Sequence, residues 1–415
     1  MHWFTTAFLV ALALTTFIRL WLATRHMRHV AANRERVPAE FADRVALTDH
    51  QKAADYTVAK SRLGNIDTLL GMAVLLCFTL AGGLQWISDI WSRVFETGGY
   101  AHGIALLATM TIVASLIELP LSIYRTFVLE ARFGFNRMTP ALFIADLAKG
   151  TVIGAALGLP LVALVLWLMA KMGTYWWLYV WLAWMIFNLL VLTLYPTLIA
   201  PIFNKFNPLA DESLKTRIEG LLAKCGFKSR GVFVMDGSKR SSHGNAYFTG
   251  FGAAKRIVFF DTLINRLAPA EIEAVLAHEL GHFKRRHIVK RIVWIFAASL
   301  VLLALLGYLI DKPWFYASLG AHTQSTAMAL ALFFLAVPVF TFPFSPISSL
   351  YSRKHEYEAD AYAASQSNGE DLVRALVKLY QDNASTLTPD PMHSAFYDSH
   401  PPAALRIARL QGAAR

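Results

Sequence analysis

In the stretch AVLAHELGHFKRRHIVKRIVWIF, residues 274–296, two histidines stand four apart with a glutamate beside the first. Positions four apart share a helical face, so His278 and His282 can offer imidazoles to one cation while Glu279 reaches a water bound beside it. Two imidazoles and a carboxylate suit zinc, with the fourth position left for that water. The chemistry is hydrolysis, because zinc acidifies the water and a neighbouring carboxylate takes its proton. A purely structural site is closed by four ligands and needs no base. Cys77 and Cys225 have no metal-site or disulfide spacing, so the third ligand must be a histidine or a carboxylate.

The longer pattern HExxHxxGxxH fails, since Arg285 occupies the glycine position and His287 comes one residue early. The acidic stretch SRKHEYEADAYAAS, residues 352–365, offers a better source. Glu356 and Asp360 lie four apart on one helical side, whereas Glu358 is rotated by about 200 degrees and is expected to face away. Glu356 is therefore read as the third ligand, and Asp360 as the acceptor that orients an imidazole from behind.

Elements able to hold this site must suit a membrane. The chain has 415 residues, 56% hydrophobic and only 16% charged, with a mean hydropathy of +0.43. These values exclude an ordinary soluble domain. Seven apolar stretches approach the roughly 20 residues that cross a bilayer, at about 3–23, 68–87, 103–128, 151–171, 175–199, 288–310 and 326–344. The first lacks a preceding basic residue and a small-residue cleavage site, and is read as a retained span. Arg25, Arg28, Arg34, Arg36, Arg44, Lys52, Lys60 and Arg62 fill the first loop, while the next holds only Arg93. Basic residues mark cytoplasmic loops, so the N-terminus is expected outside and the catalytic site on the cytoplasmic side. Such loops also account for the net charge of +11 and pI near 9.6. No basic stripe with interleaved aromatics lies outside the spans, and no nucleic-acid partner is expected. Arg19 and His287 are expected to snorkel or to lie at the membrane surface. Glu118, Asp146 and Lys149 fall within spans and need either a wet chamber or ion pairing.

Four segments follow: an N-terminal membrane region 1–203 with about five spans, a catalytic segment 204–287, spans six and seven at 288–345, and a C-terminal catalytic segment 346–415. In the second, Leu214, Ile218, Leu221 and Leu222 recur at helical spacing. VFVMDG, NAYFTG and RIVFFDTL read as short strands, interrupted by a GFGAAK turn, and a helix is expected to begin at Pro269.

HELGH with EYEAD, together with GSKRSSHGNAYFTGFGAAKRIVFFDTL, YRTFVLEARFGFNRMTP, APIFNKFNPL and the late SHPPAALRIARL, resembles the integral-membrane zinc metallopeptidases of the CAAX prenyl protease 1 family. The resemblance runs from about Asp49 to the C-terminus. It implies a mainly α polytopic membrane protein in which about seven transmembrane helices enclose a chamber, with a small α/β zincin-like catalytic domain on the cytoplasmic side. It implies one zinc per chain on His278, His282 and Glu356, with Glu279 as general base. By the same resemblance, His400 and Arg406 steady the oxyanion, and Asn245, Ala246, Tyr247 and Phe248 line the bound peptide as an edge strand. The implied partners are a peptide or prenylated peptide cut near its C-terminus and the surrounding lipids, with the protein acting as a monomer. A heat-shock-type membrane quality-control protease, typically of four spans, is the alternative, and a transporter or receptor with a structural zinc site is a further one.

Overall fold

The computed structural model describes residues 2–249 and 256–413. Seven of its helices are long and apolar enough to cross a membrane: Trp3–Ala32, Leu47–Phe78, Tyr100–Glu130, Pro140–Lys171, Gly173–Phe203, His287–Leu309 and Thr326–Gln366. Most expected spans fall inside these helices, but the second does not. Its helix begins at Leu47 and ends at Phe78, and the chain then turns into a separate short helix, Gly83–Trp91. The break sits at a glycine pair. Gly82 has φ +77°, in the left-handed region, and a Cβ on Gly83 would meet the Cys77 carbonyl oxygen at 2.5 Å. Of the basic residues expected in the first loop, Arg25 and Arg28 lie on the first helix and Lys52, Lys60 and Arg62 on the second.

Two of the three polar residues expected within spans find partners. Arg240 donates to both Asp146 oxygens, at 2.7 and 3.0 Å, and Lys149 donates to the Ile202 carbonyl at 2.9 Å. Glu118 stays exposed. Arg19 is half-buried, its guanidinium 4.3 Å above the Phe342 ring.

Between the fifth and sixth spanning helices, strands β1 (Phe206–Pro208), β2 (Val232–Met235), β3 (Ala246–Thr249) and β4 (Arg256–Phe260) form a sheet of order β1-β2-β4-β3. Strands β2, β3 and β4 fall within VFVMDG, NAYFTG and RIVFFDTL, the stretches read as strands. β1 (Phe206–Pro208) was not anticipated; three residues ending in proline carry almost no periodicity, and pairing with β2 creates the strand. β2 and β4 are parallel, and β3 joins β4 antiparallel with Ala246 opposite Phe259. The order leaves β3 at an edge. The expected GFGAAK turn, Gly250 to Lys255, lies outside the described residues.

The apolar face of Glu212–Lys224 packs its Leu214, Ile218, Leu221 and Leu222 into a core shared with β2, β4 and the helix Pro269–Lys284. Pro269 starts that helix as predicted, and the Glu271 carboxylate accepts the Ala268 backbone N–H at 2.7 Å. A separate core of Phe8, Leu106, Leu306, Met328 and their neighbours holds the spanning helices together.

Candidate active site

Two helices build the site. Pro269–Lys284 carries HELGH, and Ser345–Gln366, which continues from the last span, carries EYEAD. Gly281 sets how closely they cross, because a Cβ there would lie 2.9 Å from the Ala359 Cα and 3.1 Å from its carbonyl oxygen. The glycine of HELGH thus meets the backbone between Glu358 and Asp360. That contact brings the histidines of one helix to the carboxylates of the other.

His278, His282 and Glu356 come together, each offering one donor atom, with all three donors within 4.8 Å of one another. His278 Nε2 lies 3.2 Å from His282 Nε2 and 3.5 Å from Glu356 Oε2, and His282 Nε2 lies 3.4 Å from Glu356 Oε1. Tetrahedral zinc with donors about 2.0–2.1 Å away needs them about 3.3 Å apart, so the trio fits it. The outer partners fit as well. His278 Nδ1 is 2.8 Å from Asp360 Oδ1, which fixes a tautomer with its proton on Nδ1 and the Nε2 lone pair turned inward. Glu356 Oε2 is buried without a hydrogen-bond partner among the described residues. Three inward lone pairs repel one another unless a cation lies between them.

The electrostatics agree. Burial opposes charge on His278, but the Asp360 and Glu356 carboxylates outweigh it and push its pKa up to about 9. An environment that holds a proton this firmly equally favours a metal ion in its place. Burial and the neighbouring His278 instead push His282 down to about 4. Glu279 is half-buried and makes no side-chain hydrogen bond among the described residues. Burial raises its pKa above the ordinary carboxylate range, His278 opposes the rise, and Glu356 adds to it.

The C-terminal segment closes over this core. Arg353 donates to Ser394 Oγ at 2.8 Å and to the Asp398 carbonyl at 3.2 Å, which fastens the tail before His400. His400 remains exposed, with Nε2 3.5 Å from Glu356 Oε1. Arg406 is buried instead, and it donates through Nε at 2.8 Å and Nη2 at 2.6 Å to the two oxygens of Asp360. Its Nη1 lies 3.8 Å from Glu356 Oε2. Arg406 therefore stands behind the trio, whereas the exposed His400 stands on its solvent side.

One layer went unread in the sequence. His287 is 4% exposed, not at a wet membrane surface, and its Nδ1 lies 3.0 Å from His282 Nδ1. Its Nε2 lies 2.9 Å from Glu358 Oε2. Glu358 does face away from Glu356, as its helical angle requires, but this half-exposed carboxylate meets His287 there. The missed step is the turn at Arg286, whose φ of 57° breaks the helix and folds His287 back towards His282. Three basic residues and a histidine, Lys284 to His287, gave no periodic signal for such a turn.

The edge strand lies against the same helix. The Phe248 ring in β3 meets the Phe283 ring, next to His282, at 5.1 Å between centroids. Asn245, just before the strand, accepts the Phe260 backbone N–H through its carbonyl at 3.0 Å, and Tyr247 is half-buried. Ala246 and Phe248 pack against the core shared with β4.

Comparison with known proteins agrees with this geometry. The profile of the CAAX prenyl protease N-terminal region, five membrane helices, matches residues 26–205, and that of peptidase family M48 matches residues 208–414. The chain is 36% identical to the CAAX prenyl protease 1 homolog of Arabidopsis thaliana over 371 residues, covering 87% of each chain. It is 33% identical to CAAX prenyl protease 1 of Saccharomyces cerevisiae over 403 residues, covering 90% of this chain and 88% of that one. The crystal structure of S. mikatae Ste24p superimposes with a TM-score of 0.90 at 32% identity, covering 99% of both chains. The quality-control and transporter alternatives are not favoured by these matches. With a metal-ready trio of side chains in a chain of seven helices able to span a membrane, and with both parts of the chain matched, this protein belongs to peptidase family M48 and is a multi-pass membrane metallopeptidase.

Proposed function

We propose that the protein holds one zinc ion on His278, His282 and Glu356 and cuts peptide bonds near the C-terminus of extended, CAAX-type substrates that carry a prenyl group. The observation that carries this reading is the β3 edge, unpaired among the described residues and packed against the metal helix through Phe248 and Phe283. An extended peptide added to that edge binds mainly through backbone hydrogen bonds, so Asn245, Ala246, Tyr247 and Phe248 hold it with little demand on sequence. The names of the relatives supply the CAAX and prenyl parts of the proposal.

Zinc at this position supplies Lewis-acid polarisation of the scissile carbonyl and acidifies a water. Glu279 accepts a proton from the attacking water and passes it to the leaving amine. Its raised pKa suits both halves of that transfer. His400, exposed on the solvent side, donates to the oxygen on which charge develops. Arg406 acts from behind: it fixes Asp360, which fixes His278, and lends positive charge through Nη1. Basic loops support an outside N-terminus and a cytoplasmic site. The spans enclose a chamber reached by tails and not by folded proteins, and the chain works as a monomer among lipids.

The test is incubation of purified protein in detergent with a prenylated C-terminal peptide and its unprenylated twin, with products identified by mass. Loss of the last three residues, faster from the prenylated peptide, is expected. Intact peptides, or equal digestion of compact folded proteins at internal sites, would overturn the proposal.

A further inference from the structure

A cavity of about 430 Å³ is lined in part by His400, whose Nε2 lies 3.5 Å from Glu356 Oε1 of the metal trio. Its walls include Thr57, Lys60, Ser61, Tyr380, Ser399 and His400. Thr57, Lys60 and Ser61 stand at spacings of three and four along the helix Leu47–Phe78 and therefore share one face. The lining is rich in hydroxyls and imidazoles, and Asp398 is its carboxylate. A prenyl chain would find few apolar partners there. A short peptide with an anionic end would find many polar ones.

Lys60 makes no hydrogen bond or ion pair among the described residues, and its ammonium sits 4.2 Å above the Tyr56 ring. Glu130 is the carboxylate whose charge acts on it. That carboxylate is already engaged, for it accepts the Tyr56 hydroxyl at 2.5 Å and faces His243 Nε2 at 3.6 Å. Lys60 is exposed on the polar part of its helix, ahead of the apolar run, and lines the cavity, where its ammonium is free to meet an anionic ligand.

The sheet supplies the direction. His243, three residues ahead of β3, ties the N-terminal end of that strand to Glu130 and Tyr56, and so to the helix turn that carries Lys60. Antiparallel pairing is the more stable kind. A peptide paired antiparallel to β3 points its own C-terminus towards the strand's N-terminal end, where this cavity lies.

Resting on the peptidase reading above, we propose that Lys60, assisted by Ser61 and Thr57, binds the free α-carboxylate of the substrate's last residue, so that the cavity takes the short peptide released by cleavage. The site thereby selects chain ends over internal segments, because only an end carries that charge.

The experiment measures binding of a released product and so needs no turnover. A tripeptide acid of valine, isoleucine and methionine, and the same tripeptide as its C-terminal amide, are titrated calorimetrically into the zinc-loaded full chain in detergent. The acid is expected to bind at least about tenfold tighter, the worth of one charge-assisted hydrogen bond. Lys60→Gln should bind acid and amide alike, while Lys60→Arg keeps the preference and both variants keep their zinc. Equal binding of acid and amide by the parent chain, or a preference surviving in Lys60→Gln, would overturn the proposal. Selective binding of the acid by a protein that leaves prenylated peptides intact would uphold this site and sink the peptidase reading instead.

Discussion

His287 stands directly behind His282, Nδ1 to Nδ1 at 3.0 Å, and passes the contact on to Glu358 at 2.9 Å. A proton on His282 Nδ1 donates to His287, and one on His287 Nε2 donates to Glu358, which leaves the His282 Nε2 lone pair for the metal. Outer partners of this kind are worth about 10–100-fold in metal affinity. Glu358→Ala should weaken zinc binding within that range in a chelator competition, and Glu358→Gln, which still accepts a hydrogen bond, should restore part of it. An unchanged zinc Kd in Glu358→Ala would show that the contact orients nothing.

Replacing Glu279 separates base from ligand. Glu279→Gln should keep its zinc and lose at least about a hundredfold in turnover. Burial raises this carboxyl's pKa, so it stays protonated, and inactive as a base, to a higher pH than a free glutamate. The acid limb of kcat/KM should therefore lie above about 4.3, the ordinary glutamate value. A limb at or below that value would place the controlling carboxylate elsewhere.

Gly281 governs the crossing of the two site helices. In Gly281→Ala the new methyl meets Ala359 backbone atoms, which cannot rotate away, so the helices must part. Overpacking of this sort costs about 1–3 kcal/mol. A lower Tm together with reduced zinc content is expected. Parent values of both would mean that the crossing tolerates a methyl group and does not set the site's spacing.

Arg406 and Asp360 form a buried ion pair, 5% and 3% exposed. Arg406→Met leaves the carboxylate without its main counter-charge, at a cost of about 3–5 kcal/mol. Thermal unfolding should show that loss. Arg406→Lys should recover only part of it, because an ammonium cannot bridge both oxygens as the guanidinium does. Full stability in Arg406→Met would rule out the positioning role.

The sequence by itself determined the features that depend on local spacing. Two histidines four apart, two carboxylates four apart, apolar runs of bilayer length and a proline at a helix start each reduce to angles and rises along one element, which hold wherever that element is placed. The same spacing showed Glu358 turned from Glu356. It could not show what lies on the other side.

Tertiary structure decided everything that depends on two distant segments meeting. The glycine-limited crossing at Gly281 and Ala359 joins residues 78 positions apart and fixes the donor separations. The left-handed Arg286 carries His287 off the helical register that spacing arguments assume. Buried Arg406 is drawn to Asp360 because an unpaired carboxylate in that core is too costly to leave. Lys60, a loop charge when only residue types are counted, lines the same cavity as His400 because its helix starts well before the apolar run. In each case a side chain's role is set by the partner it meets, and partner identity is carried by packing and not by periodicity.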